Sequence, residues 1–201
     1  MMREDALLRG VDEGLAEALA RARAALVTQA ERERTAELFY RRVPSPLGEL
    51  LLVAGHEGVL RLAFEGEDHE AVLAELAARV SPRLLEGGSL LAEAARELQE
   101  YFAGRRRDFE VPVDLRLARG FRARVAQALR GIRYGERRSY AEVARLVGSP
   151  QAVRAVGTAC ARNPVPLLVP CHRVVRSDGT VGAYRGGHEA KRFLLSLEAA
   201  A

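Results

Sequence analysis

Three short apolar runs follow one another between residues 38 and 66, and turn-forming residues separate them. The runs read LFYRRV (38–43), LLLVAG (50–55) and VLRLAFEG (59–66), and they are joined by PSPLGE and GHEG. Runs of this length, bounded by glycine and proline, are typical of β-strands, and connections this short join neighbouring antiparallel strands. The pattern therefore predicts a small antiparallel sheet in the first half of the chain.

Helical periodicity occupies most of the remaining sequence. Apolar residues at three- and four-residue steps predict helices over residues 1–35, 69–80 and 89–103, and through much of the chain after residue 113. In the first of these segments the apolar stripe consists of Leu8, Val11, Leu15, Leu19, Ala22 and Leu26.

A connector at residues 104–114 separates two halves of different character. Pro112 interrupts it, because proline cannot donate the backbone hydrogen bond that a helix or an inner strand requires. We therefore expect a helical N-terminal extension at residues 1–35, an α/β domain at 36–113 and a mainly helical domain at 114–201.

Composition and the N-terminal sequence narrow the class of protein. A chain of 201 residues with 48% hydrophobic content can bury a core of its own. No apolar run approaches the roughly 20 residues that span a membrane, and MMREDALLRG lacks the layout of a secretory signal. We expect a cytoplasmic protein without a membrane partner. Its two cysteines, Cys160 and Cys171, are then expected to be free thiols, and no paired histidine or cysteine spacing predicts a metal site.

Charge is distributed unevenly between the halves. Residues 114–201 contain 16 Lys and Arg against 6 Asp and Glu, a net charge of +10, which leaves −6 for residues 1–113. A basic half suggests that the second domain meets a polyanion. Because Lys191 is the only lysine, genome composition explains the arginine content equally well, and charge alone does not identify DNA as the partner.

The first helix of the second half is predicted over FRARVAQALRGI, residues 121–132. Its apolar residues share one face, and Gly135 follows where a left-handed residue can cap a helix. Two further helices follow in close succession. SYAEVARLVG begins with Ser139 and Glu142 in capping-box spacing and ends at Gly148.

The next helix is predicted to begin at once, with Ser149 as N-cap and Pro150 as first helical residue. Two short helices around a glycine-containing turn indicate a helix-turn-helix. In the second of them, one face is predicted to point inward and carries Val153, Val156 and Cys160. The opposite face carries Gln151, Arg154, Thr158 and Ala161.

The stretch VPLLVPCHRVVRS, residues 165–177, delivers a cysteine and a histidine side by side. In an extended segment Cys171 and His172 would point to opposite faces. If the pair acts together, another group must therefore link the two side chains.

Read together, the sequence from SYAEVARLVG through NPVPLLVPCHRVVRSDGTVGAYRGG to EAKRFLLSLE resembles the O6-alkylguanine-DNA alkyltransferases, which repair alkylated guanine. PCHRV after an NP turn and before a G-x-Y-x-G-G loop carries the resemblance, which is strong over residues 114–201. The meander matches the family more loosely, and residues 1–35 have no counterpart in it. The resemblance implies an α/β N-terminal domain with a small antiparallel sheet. A mainly helical, winged-helix-like domain with a helix-turn-helix would follow.

The resemblance also implies a reaction. An alkyl group would pass from O6-alkylguanine, or O4-alkylthymine, in double-stranded DNA to Cys171, and the alkylated protein would be inactive thereafter. Cys171 would reach His172 through a water, Glu198 would orient the far side of the imidazole, and Asn163 would buttress the turn around the cysteine. No cofactor and no obligate protein partner are implied.

Base flipping would expose the lesion, because O6 lies within the stacked duplex. Tyr140 would crowd the neighbouring phosphate and Arg154 would fill the vacated stack, and the second helix of the helix-turn-helix would enter the minor groove. Further phosphate contacts are expected from Arg122, Ser149 and Ser177. The pocket is expected to be lined by Tyr184, Val174, Arg185 and Gly186.

Two departures from the family pattern concern specificity and metal. Arg185 stands where some members carry serine, which leaves the preference among alkyl groups open. Residues 1–113 contain no cysteine or histidine cluster, so the N-terminal zinc site of certain members is expected to be absent.

Two other functions are compatible with parts of the sequence. A non-catalytic lesion-binding or regulatory protein of the same fold would bind DNA, but such sensors lack the cysteine. A cysteine hydrolase would use Cys171 and His172, although its nucleophile and base are normally distant in sequence.

Overall fold

A four-stranded sheet follows a long N-terminal helix in the computed structural model, which describes residues 2–200 and their side chains from residue 14 onward. The three predicted strands are confirmed, and a short fourth strand joins the sheet beside the first, so that the order across the sheet is third, second, first and fourth. The predicted antiparallel meander is confirmed for the first three strands, whereas the fourth, which sequence reasoning did not predict, pairs in parallel with the first and makes the sheet mixed. Three residues are too few to show an alternating pattern in sequence. The elements are α1 (Met2–Glu33), β1 (Leu38–Ser45), β2 (Gly48–Gly55), β3 (Gly58–Ala63), α2 (His69–Arg79), β4 (Leu84–Glu86) and α3 (Ser89–Phe102).

The sheet is buried on both faces. Along β2, Leu50 and Leu52 belong to one core, whereas Leu51 and Val53 belong to another. This follows from the two-residue period of a strand. The smaller core is closed by α2, and the larger one extends without a break through α3 into the second half of the chain. The two halves therefore share one hydrophobic core.

The second half is mainly helical, as predicted. It contains α4 (Phe121–Leu129), β5 (Arg138–Ser139), α5 (Tyr140–Leu146), α6 (Val153–Ala161), β6 (Val174–Val175) and α7 (Gly187–Ala199). The two short strands β5 and β6 pair in parallel and tie the start of α5 to the segment that follows the Cys-His pair.

The helix-turn-helix contains one confirmed and one incorrect boundary. Ser139 and Glu142 form the capping box at the start of α5. Ser149 does not cap α6, which begins four residues later at Val153. The Ala152 amide instead donates to the Ser149 carbonyl at 2.8 Å, in a turn that Pro150 suits at its second position.

The predicted inner face of α6 is also partly wrong. Val156 and Cys160 are buried, but Val153 lies at the open first turn and is 37% exposed. Arg154 and Thr158 are exposed, as the helical period predicted. The outward face of α6 therefore presents one arginine among small side chains.

Helix α4 ends at Leu129, three residues before the predicted end. Ile132 is nevertheless buried in the following turn. Gly135 adopts the expected positive φ of 76°, but it does not cap α4. Its amide serves the cluster described below.

The N-terminal helix is confirmed, and its last turns contact the α/β domain. Ala30 is buried, and the Glu31 carboxylate accepts hydrogen bonds from the Ser89 amide and hydroxyl at 2.7 and 2.9 Å. Of the predicted apolar stripe, Leu15, Leu19 and Leu26 are exposed, while the side chains of Leu8 and Val11 lie outside the described part. Over residues 2–200, none of the helices is long and apolar enough to cross a membrane.

Candidate active site

The Cys-His pair lies on a single turn of 3₁₀-helix, Cys171–Arg173, rather than in an extended segment. The Arg173 amide closes this turn on the Pro170 carbonyl at 3.1 Å. Cys171 is 1% exposed and His172 is fully buried. The alternation of side chains in an extended strand therefore does not apply to Cys171 and His172.

Asn163 connects the thiol to the loop before it. Its Nδ2 donates to the Cys171 Sγ at 3.1 Å and to the Val169 carbonyl at 2.8 Å, while its Oδ1 accepts from the Val165 amide at 3.1 Å. A side-chain amide that satisfies two backbone groups fixes the path of the loop. The same amide supplies a hydrogen-bond donor to the sulfur.

Burial dominates the acidity of the Cys171 thiol. It raises the pKa of Cys171 to about 11, although the Asn163 hydrogen bond and the nearby Lys191 ammonium act in the opposite direction. A thiol with this pKa is protonated at neutral pH. If Cys171 acts as a nucleophile, its thiol must first lose this proton, which requires a base nearby.

His172 has the geometry of that base. Its Nε2 lies 2.9 Å from the Glu198 Oε1. Because an ionised carboxylate only accepts hydrogen bonds, Nε2 carries the proton and Nδ1 keeps its lone pair. Nδ1 is buried and has no hydrogen-bond partner among the described residues. Burial lowers the pKa of His172 despite the neighbouring carboxylate, so the imidazole is neutral before reaction.

Glu198 is held by several donors in addition to the histidine. Arg173 contributes Nε at 2.9 Å to Oε2 and Nη2 at 2.9 Å to Oε1, and the Gly135 amide contributes a bond of 3.1 Å to Oε2. Burial alone would raise the pKa of Glu198, but the bonds from His172 and Arg173 outweigh it and lower that pKa to about 2. The carboxylate is therefore ionised at any pH at which the protein acts.

The Glu198 carboxylate should also stabilise the fold. Glu198→Ala leaves the Arg173 guanidinium, 5% exposed, without its counter-charge, and we expect the free energy of unfolding to fall by about 3–5 kcal/mol in urea. Glu189→Ala, which breaks an exposed pair with Arg192, is the control and should change it by less than about 1 kcal/mol. Equal losses of unfolding free energy in the two variants would contradict a stabilising role for the buried Glu198–Arg173 pair.

The ionised Glu198 carboxylate also predicts that the free energy of unfolding depends on pH. Because the pKa of Glu198 is lower in the folded chain than its ordinary value of 4.5, its contribution is complete above pH 4.5. That contribution is lost as the pH falls toward about 2. In urea titrations, Glu198→Ala should therefore lose its difference from wild type over this range.

Two tyrosines lie near the thiol. Tyr184 is buried with its ring 5.5 Å from that of Phe64, and its hydroxyl has no partner among the described residues. Tyr140, at the first position of α5, lies against Gly182, where an added Cβ would be 2.3 Å from the Tyr140 hydroxyl. Burial is the main cause that raises the pKa of both phenols. For Tyr184, the charge of an ionised Cys171 is the next cause. Gly182 therefore permits the close approach of the loop to Tyr140.

Lys191 is a functional candidate that sequence reasoning missed. It is fully buried, and its Nζ donates to the Val174 carbonyl at 2.5 Å and lies 5.8 Å from the centre of the Tyr140 ring. A lysine on an amphipathic terminal helix is normally solvated, so the sequence carried no signal of this burial.

The loop that carries Arg185 and Gly186 is attached to the first domain. Arg185 Nε donates to the Glu67 carboxylate at 2.7 Å, and the buried Arg61 binds the same carboxylate at 2.5 Å. Gly186 packs so closely on Phe64 that a Cβ would lie 2.9 Å from its ring. The guanidinium of Arg185 is thus engaged by the first domain, a contact that sequence reasoning did not foresee.

The predicted DNA contacts are distributed over the surface of the second domain. Arg154 and Ser177 are exposed, whereas Arg122, Ser149 and Tyr140 are partly buried. The thiol cluster itself unites Cys171, His172 and Glu198 with Asn163 in one buried group. The roles of all these residues remain predictions. Among the side chains that the structure describes, from residue 14 to residue 200, no group of three or more histidine, cysteine, aspartate or glutamate residues could hold a metal ion.

Two family profiles together match most of the chain. Residues 38–115 match the ribonuclease-like domain of 6-O-methylguanine DNA methyltransferase, and residues 120–200 match its DNA-binding domain. The residues before 38 lie outside both matches.

Curated relatives show the same similarity. The chain is 41% identical over 164 residues to the constitutive methylated-DNA–protein-cysteine methyltransferase of Bacillus subtilis, covering 80% of this chain and 94% of the relative. It is 45% identical over 159 residues to the methylated-DNA–protein-cysteine methyltransferase of Mycobacterium leprae, covering 79% and 90%.

Solved structures agree with the sequence similarity. The fold matches the Mycobacterium tuberculosis O6-methylguanine methyltransferase with a TM-score of 0.71 at 37% identity, over 81% of this chain and 93% of that one. It matches the Mycobacterium tuberculosis OGT in complex with DNA with a TM-score of 0.70 at 39% identity, over the same shares.

Proposed function

The chain belongs to the O6-methylguanine-DNA methyltransferase family and is a methylated-DNA–protein-cysteine methyltransferase, and we propose that Cys171 is the residue that accepts the alkyl group. The observation that carries this proposal is the buried group in which Asn163 contacts the sulfur and Glu198 fixes the tautomer of His172. Cys160, the other cysteine, lies on the inner face of α6 and has no hydrogen-bonded histidine among the described residues.

The reaction begins with removal of the thiol proton. His172 Nδ1 accepts it through a water molecule, and the imidazolium that forms is stabilised by the Glu198 carboxylate on Nε2. Asn163 Nδ2, 3.1 Å from Sγ, donates to the sulfur while its negative charge develops. Burial disfavours the free thiolate. The thiolate therefore forms only when an alkyl carbon is present to accept it.

The thiolate then attacks the alkyl carbon in line with the bond to O6. The S–C bond forms as the C–O6 bond breaks, and the proton taken from the thiol ends on the guanine. The products are unmodified guanine and an S-alkylcysteine. Because water does not readily hydrolyse a thioether, each protein molecule acts once.

DNA binding is proposed for the outward face of α6. Arg154 stands there with Thr158 and Ala161, and short side chains allow a helix to approach the floor of a groove closely. In this proposal Arg154 fills the space left by the flipped base, and Tyr140 crowds the adjacent phosphate. Arg122, Ser149 and Ser177 are proposed as further phosphate contacts.

We also propose domain limits and a cellular compartment. We retain 1–35, 36–113 and 114–201, supported by the starts of the two profile matches at residues 38 and 120. We also propose a cytoplasmic location, because the reaction requires a free thiol and reducing compartments preserve it.

The function is tested by mixing the protein with duplex DNA that contains one O6-methylguanine. Intact-mass and peptide spectrometry should show one added methyl group on the peptide that contains Cys171 and restored guanine in the DNA. A DNA complex without any gain in protein mass would instead identify a non-catalytic lesion-binding protein. Continuing turnover, with many lesions removed per protein, would contradict single use.

A further inference from the structure

A tyrosine of the first domain reaches the catalytic cluster of the second. Tyr101, near the end of α3, donates its hydroxyl hydrogen bond to the Glu198 Oε1 at 2.7 Å, and its oxygen lies 3.5 Å from the His172 Nε2. These are contacts across 97 and 71 residues of sequence. The Glu198–His172 pair therefore has a third member that the family resemblance had not assigned.

The Tyr101 ring is held by packing rather than by its hydroxyl. The residue is fully buried, and aromatic rings surround it: Phe102, Phe109 and Tyr134, with centroids 5.5, 5.2 and 5.9 Å away. Burial, followed by the charge of Glu198, raises the pKa of Tyr101, so the phenol remains a neutral donor. Phenylalanine at this position would keep the packing and remove a single donor.

The hydroxyl bond constrains the carboxylate oxygen that the histidine needs. Oε1 of Glu198 accepts hydrogen bonds from the Tyr101 hydroxyl, the His172 Nε2 and the Arg173 Nη2, whereas Oε2 is held by Gly135 and the Arg173 Nε. The Tyr101 hydroxyl is the donor that approaches Oε1 from the first domain, and it helps to fix this oxygen where it accepts the imidazole proton. A donor on Oε1 also makes that oxygen a weaker base, so the Nε2 proton stays on the imidazole ring when Nδ1 receives the thiol proton.

We propose that Tyr101 is a positioning residue for alkyl transfer, which fixes Glu198 so that His172 is held as the Nε2-protonated base. This inference rests on the proposed function, because it assigns a part in the same proton transfer. It also makes the first domain a contributor to the chemistry of the second.

The test is Tyr101→Phe in the full-length protein. The single-turnover rate of methyl transfer from duplex O6-methylguanine should fall about tenfold, equivalent to about 1.4 kcal/mol of transition-state stabilisation. The Kd for the same DNA should remain within about twofold, because no DNA contact is altered. Tyr134→Phe is the matched control, since it removes a hydroxyl from the same aromatic group whose bond goes to the Leu197 carbonyl at 3.4 Å.

Two measurements separate positioning from a general structural effect. In ¹⁵N NMR, the His172 Nε2 signal should shift in Tyr101→Phe and stay in place in Tyr134→Phe. In a double-mutant cycle, adding Tyr101→Phe to Glu198→Gln should lower the rate by less than about twofold, because the carboxylate through which Tyr101 acts is already lost.

Each outcome decides the question. An unchanged rate or an unshifted Nε2 signal in Tyr101→Phe overturns the proposal, as does an undiminished tenfold loss in the Glu198→Gln background. If Tyr101→Phe melts at a much lower temperature than Tyr134→Phe, the NMR signal of the folded fraction still reports whether the bond to Glu198 orients His172. Absence of transfer by the unsubstituted protein would refute the proposed function instead, which keeps the two failures distinct.

Discussion

Cys171→Ala is expected to lower the rate of methyl transfer by at least about a thousandfold. The Kd for undamaged duplex DNA should stay within about twofold of the wild-type value. The physical reason is that the reaction forms a bond to this sulfur, whereas no DNA contact is proposed for a side chain that is 1% exposed. Transfer is measured with DNA that carries a labelled methyl group, and binding by fluorescence anisotropy.

Cys160→Ser is the matched control for the loss of a buried thiol. Cys160 is 4% exposed on α6, and burial raises the pKa of its thiol. The variant should retain transfer at a rate within a few fold of wild type. Label on the Cys171→Ala protein, or loss of transfer only in Cys160→Ser, would refute the assignment of the nucleophile.

Arg154→Ala should separate base flipping from chemistry. Extrusion of a base costs a few kcal/mol, so loss of the side chain that fills the vacated stack should slow repair of duplex DNA by about a hundredfold. Reaction with free O6-benzylguanine requires no extrusion and should slow by less than about twofold. Rates with both substrates are read from the alkylation of Cys171 by mass spectrometry.

Arg192→Ala serves as the control for loss of one positive charge. Arg192 is exposed on α7, where it pairs with Glu189, and the change should affect both substrates little. Equal slowing with duplex and free base in Arg154→Ala would show that Arg154 supports the chemical step. Equal slowing of duplex repair in the two variants would show that only net charge matters.

The α/β domain contacts the second domain on both sides of Cys171. The hydrogen bond from the Leu62 amide to the Pro164 carbonyl, 2.8 Å, joins β3 to the loop before the cysteine, and Glu67 holds Arg185 on the loop after it. The α/β domain therefore supports the chain on both sides of Cys171. Its acidic net charge is compatible with this role, because none of these contacts involves DNA.

Features encoded in short stretches were predictable from the amino-acid order. The β-meander follows from alternating apolar runs between turn formers, and the capping box of α5 follows from Ser139 and Glu142 three residues apart. The burial of Cys160 follows from the 3.6-residue period of α6. In each case the interacting groups are neighbours along the chain, so local propensity is sufficient.

Features that depend on distant partners were not predictable from sequence pattern. The parallel pairing of β4 and the burial of Lys191 depend on how distant elements pack against each other. The resemblance to a family supplied Glu198 as partner of His172, 26 residues away, but not the Tyr101 hydroxyl, 97 residues from Glu198. Local signals act over one or two turns, whereas these contacts form only after the chain has closed long loops around a common core.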